Sequence, residues 1–68
     1  MTQIYIPVYC CYGIFSSQVE TYFSTAYLNK EDAEKELIEA RYKDLSQNHW
    51  SSSIDQFKKA YIRTIELH

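Results

Sequence analysis

The chain has 68 residues, a net charge of −2 and a pI near 5.5. That length holds one small domain over 1–68, and the acidic balance argues against nucleic acid, whose binders carry a basic excess. No apolar run approaches the roughly 18–20 residues of a membrane-spanning helix and no signal-peptide pattern opens the chain, so a cytoplasmic protein is expected.

The apolar share includes seven tyrosines, two cysteines and four alanines, so few large aliphatic side chains remain for a core. A chain of this size buries only about 60% of its unfolded surface and commonly needs a disulfide, a metal or a partner. The only cysteines, Cys10 and Cys11, are neighbours. On a strand they point to opposite faces and cannot staple distant elements. Cys10, Cys11, His49 and His68 show no zinc spacing, so no metal is expected. Self-association is left as the staple.

Residues 3–11 alternate with a strand period, Ile4, Ile6, Val8 and Cys10 on one face, Tyr5, Pro7, Tyr9 and Cys11 on the other. Pro7 lacks an N–H, which points to a sheet edge or a bulge. Tyr12 to Gln18 reads as a hairpin loop, and a second strand follows over about 19–27. If Ile4, Ile6, Val8 and Phe23 face a helix, then Tyr5, Tyr9 and Tyr22 share the opposite, open face.

Asn29 has the character of an N-cap, Leu28 and Ala33 stand where a hydrophobic staple belongs, and Glu31 and Asp32 suit a first turn. The spacing predicts a helix over 30–46. On its wheel Ala33, Leu37 and Ala40 form one apolar arc and Ile38, Tyr42 and Leu45 a second, while Lys35, Glu36, Glu39 and Lys43 are charged. Either the C-terminal segment covers the second arc, or Ile38, Tyr42 and Leu45 meet a second chain.

The close of the chain has two readings. Ser53 and Gln56 suit a capping box, and Ile54, Phe57, Tyr61 and Ile65 recur at helical spacing. Tyr61-Ile62-Arg63-Thr64-Ile65 is β-branched and aromatic. The favoured reading is a short helical turn at 54–58 and a strand at 60–67, with a continuous helix over 54–66 as the alternative. Trp50, in a polar loop, is either buried or a contact anchor.

The run Tyr27-Leu28-Asn29-Lys30-Glu31-Asp32-Ala33-Glu34-Lys35 and the close Tyr61-Ile62-Arg63-Thr64-Ile65-Glu66-Leu67 resemble the small ββαβ proteins of bacteria and phages. Those carry a strand, a Tyr/Phe-x-x-x-Glu-Asp/Glu-Ala helix start and a closing strand. The resemblance implies an α+β fold, a three-stranded antiparallel sheet with one helix on a face (β-β-α-β) and an optional short helix before the last strand. Several phage inhibitors of bacterial defence are similar in size, acidity and lack of motif.

One glycine rules out a Gly-rich phosphate loop. Neither thiol has a sequence neighbour that would lower its pKa beside His49, and the acids Glu31, Asp32, Glu34 and Glu36 read as a solvated helix face. No catalytic residue and no cofactor are expected. Strand tyrosines can be half-exposed through β-propensity alone, or can stack bases, but stacking platforms also carry a basic groove. The reading that remains is a non-enzymatic interaction protein, a homodimer that binds a larger protein target, most concretely a phage or mobile-element inhibitor. Its expected contact residues are Tyr5, Tyr9, Tyr22, Ile38, Tyr42, Leu45 and Trp50. The alternative is a protein that sequesters a small molecule or nucleotide in a tyrosine-lined pocket between subunits.

Overall fold

A computed structural model describes residues 2–13 and 19–67. In chain order it contains β1 (Thr2–Tyr12), β2 (Val19–Phe23), α1 (Lys30–Glu39), β3 (Tyr42–Asp44), β4 (Trp50–Ser52) and β5 (Lys58–Leu67). All strand pairs are antiparallel and the sheet order is β2-β1-β5-β4-β3. The expected three-stranded sheet is thus corrected to five strands with one short helix. The tip of the first hairpin, within the loop expected from Tyr12 to Gln18, lies outside the described residues.

Two extra strands appear because α1 stops early. Ala40 caps it, and Arg41 takes a left-handed backbone at φ 65°, which turns the chain. Arg41 N–H still donates to the Ile38 carbonyl (3.0 Å), while the Arg41 carbonyl accepts from Ser53 N–H (2.9 Å) and Ser53 Oγ (2.6 Å). Tyr42 then enters β3, where its ring meets Tyr9 edge-on at 5.4 Å between centroids. Hairpin formation buries Trp50 to 4% exposure against Ala33, Leu37, Ala60 and Ile62. Burying an indole outweighs the few tenths of a kcal/mol per residue of helix preference over 40–46. The arc expected from Ile38, Tyr42 and Leu45 does not exist as a helix stripe.

The helical turn expected at 54–58 is also replaced. Ser52 Oγ accepts from the N–H groups of Ile54 (3.2 Å) and Asp55 (3.1 Å), and Asp55 Oδ1 accepts from Phe57 N–H (2.9 Å). Short side chains that capture backbone donors favour turns over helix. Ser53, read as a cap, is engaged by Arg41 instead. The strand expected at 60–67 is present and begins at Lys58.

Pro7 occupies an interior strand without a bulge in its register. Its missing donor falls on the β2 side, one residue beyond the Val8↔Phe23 pair, where Ser24 N–H donates to the Pro7 carbonyl (3.0 Å). The neighbouring Tyr5 exchanges two backbone bonds of 2.8 Å with Tyr27. The second strand therefore ends at Phe23, and only a single bridge at Tyr27 remains of its expected extension. At the helix start Asn29 is extended and its side chain caps no backbone group, and Leu28 is exposed, so no staple forms.

Candidate functional site

The two sheet faces are reversed relative to the sequence reading. Cross-strand partners share a face, and the pairs Tyr9↔Ala60, Pro7↔Ile62 and Trp50↔Ala60 place Tyr5, Pro7, Tyr9 and Trp50 under α1. Ile4, Ile6, Val8 and Cys10 lie on the other face. The reason is visible at Glu36, whose carboxylate collects three hydroxyl donors: Tyr9 (2.5 Å), Ser24 (2.7 Å) and Tyr27 (2.7 Å). Tyrosines that carry a donor to a helix carboxylate are drawn beneath the helix, a task that isoleucine cannot perform.

Burial opposes ionisation of Glu36, but the three hydroxyl bonds outweigh it and hold the carboxyl below its ordinary value. Burial and the bond to Glu36 push the Tyr9 phenol well above its ordinary range. The bond to Glu36, then burial, also raises Tyr27. All donors and the acceptor are consumed within the cluster, which makes it a pin between helix and sheet. Glu36 was read as a solvated acid; its place about 60° from Ala33 on the helix wheel, beside the small-residue arc, was the available signal.

The face away from α1 carries a broad groove of about 910 Å³ over β1, β5 and the β3–β4 loop. Tyr12 (45% exposed), Tyr61 (37%), Phe57 (36%) and Leu45 (56%) line it, with Cys10, Lys59 and His49. Lys59 Nζ donates to Ser51 Oγ at 2.9 Å. Among the described residues no hydrogen bond joins Cys10 to His49, and no cluster of three or more metal-ligating side chains exists.

One wall of the groove is the loop 45–49, where Ser46, Gln47 and Asn48 all have positive φ (75°, 53° and 61°). Each such non-glycine residue costs roughly 1–2 kcal/mol. Hydrogen bonds hold it: Ser46 N–H to Asp44 Oδ1 (2.8 Å), His49 N–H to the Ser46 carbonyl (3.0 Å) and Leu45 N–H to the His49 carbonyl (2.7 Å). Asn48 donates through Nδ2 to the Ile62 carbonyl (2.7 Å) and accepts through Oδ1 from Ile62 N–H (2.8 Å). Its amide thus imitates a strand residue beside β5.

Of the expected contact residues, Leu45 and Trp50 border the groove, Leu45 exposed and Trp50 buried. Tyr5, Tyr9 and Tyr42 are half-buried against the core, and Trp50 is part of it. Tyr22 pairs with Tyr9 on the helix face yet is 55% exposed, its hydroxyl donating to Glu20 (2.7 Å). Ile38 is exposed on α1. Tyr12, Phe57 and Tyr61 were missed as a group because the β1–β5 pairing and the turn over 52–57, neither of them visible as periodicity, bring them together. Among the described residues no helix is long and apolar enough to cross a membrane. Comparison with models of known families, with curated proteins and with solved structures finds no match for this chain.

Proposed function

We infer that the chain is a non-enzymatic interaction module that takes a protein target on the sheet face away from α1, centred on Tyr12, Phe57 and Tyr61. The observation that supports this is the concentration of three partly exposed aromatic rings and Leu45 in one groove. Exposed apolar surface of this kind marks association sites, and aromatic side chains are enriched at interface cores. Lys59 and His49 at the same groove suit a target that presents apolar side chains beside an acidic group. The most concrete target remains a bacterial defence protein bound by a phage inhibitor, a reading that rests on likeness of size, acidity and lack of motif.

The test is capture of a target by the immobilised chain, repeated with Tyr61→Lys and with Tyr22→Lys on the opposite face. Loss of the target with the first and retention with the second supports the reading; equal retention overturns it. A second reading, sequestration of a small molecule, is favoured by the groove volume, which lies within the range of about 300–1,000 Å³ common for such sites. A melting-temperature shift with a nucleotide or aromatic carboxylate, abolished by Tyr61→Lys, would select it.

A further inference from the structure

β1 and β5 pair over ten residues, from Thr2↔Leu67 to Cys11↔Lys58. On its other side β5 meets β4 only at Trp50↔Ala60 and Ser51↔Lys59, and the Asn48 side chain extends that contact to Ile62. Ile62 therefore turns its N–H and C=O away from β1, and backbone groups on a strand alternate, so Thr64 and Glu66 do the same. Among the described residues nothing pairs with those four groups. Thr64, Glu66 and Leu67 are exposed, while Ile65 is half-buried beside its partner Ile4 on the face away from α1.

We propose that a second copy of this chain adds its β5 antiparallel to this edge, joining the two sheets about a two-fold axis at Ile65. An unpaired edge is a template for strand addition, and a two-fold contact presents the same patch from both sides. The register follows from the residues available. Pairing Thr64 with Glu66 of the second copy uses all four open groups of each chain and places Ile65 against its own mate. A shift one way sets Glu66 against Glu66, opposing like charges. A shift the other way requires Ile62, whose groups Asn48 already occupies. The chosen register also sets Arg63 opposite Leu67 and joins two apolar patches of Ile4 and Ile65 into one. The groove lies at the other end of β5, around Lys59–Tyr61, so this contact holds whatever the groove binds.

In this register Ile65 faces its mate as a non-hydrogen-bonded pair with Cα atoms about 4.5 Å apart, within disulfide range. In a Cys10→Ser, Cys11→Ser background, Ile65→Cys is expected to give a disulfide-linked dimer on air oxidation, reversed by reductant. Arg63→Cys would lie roughly 14 Å from its mate, four residues along the strand, and is expected not to cross-link. Thr64→Pro removes only an outward N–H, and is expected to abolish both the cross-link and the dimeric mass in sedimentation at high micromolar concentration while circular dichroism stays unchanged. If the cysteine-free background fails to fold, Ile65→Cys in the native chain with the disulfide located by mass spectrometry gives the same readout. A monomer at that concentration overturns the proposal. So does a dimer that cross-links equally at positions 63 and 65, or one that survives Thr64→Pro.

Discussion

The two faces of the sheet use tyrosine in different ways. Beneath α1, Tyr9 and Tyr27 deliver their hydroxyls to Glu36, and Tyr9 and Tyr42 pack ring against ring. On the other face, Tyr12 and Tyr61 stand in an open groove with Phe57. The same residue type closes the core on one side and presents a surface on the other, and Glu36 supplies a polar partner only on the first. A tyrosine near a helix acid gains a partner for its polar end and can pack beneath the helix, as Tyr9 and Tyr27 do, whereas Tyr42 reaches the same face through ring packing.

Substitutions should therefore divide by face. Trp50→Ala removes the largest side chain of the core cluster and is expected to cost about 3–5 kcal/mol in a denaturant titration, enough to unfold a marginal domain. A loss under 1 kcal/mol would mean that Trp50 does not anchor the helix face. Glu36→Ala leaves three hydroxyls without their acceptor, with an expected loss of about 1–3 kcal/mol. The same cluster sets a pH window. With the folded Glu36 value below the ordinary 4.5, its contribution is complete above that pH and is lost as pH falls through the folded value. With Tyr9 and Tyr27 raised above 10.0, theirs is complete below pH 10 and is lost as pH rises through their folded values. Glu36→Gln should flatten the acid limb of the melting-temperature profile; an unchanged limb would remove the cluster from the account.

Smaller effects are expected toward the open face. Asn48→Ala gives up two bonds to Ile62 and keeps a strained φ, for a loss of about 1–2 kcal/mol. Asn48→Gly relieves the strain and should lose less. Equal losses for the two variants, measured by thermal unfolding, would show that hydrogen bonding alone holds the loop. Phe57→Ser is expected to change stability by less than about 0.5 kcal/mol, as typical surface substitutions do, while weakening target binding. A large destabilisation would place Phe57 in the core and erase the distinction between the faces.

Strand alternation located β1, β-branched and aromatic content located β5, and an acidic first turn located the helix start, because all three are local signals. The hairpin of β3 and β4 was not legible. Arg41, Ser46 and Gln47 take left-handed backbones without glycine, and Trp50-Ser51-Ser52 has little strand preference in two of three positions. What fixes that hairpin is the burial of Trp50 and Tyr42, a tertiary effect. The reversal of the faces had the same origin: Ile4, Ile6 and Val8 are the more apolar set, and hydrophobicity alone assigns them to the helix. Val8 is fully buried all the same, flanked in register by Phe23 and Tyr61. Of the groove, Leu45 and Trp50 were legible as contact residues, and its exposed aromatic members Tyr12, Phe57 and Tyr61 were not.

The adjacent thiols acquire a use from strand alternation. Cys10 borders the groove, and Cys11, one residue on, belongs to the face beneath α1; both are free and half-buried. A single chain thus holds two native chemical reporters, one for each side of the sheet. Alkylation followed residue by residue would register occupancy of the groove as slower labelling at Cys10 alone. Loosening of the helix would register as faster labelling at Cys11, with no tag or substitution introduced.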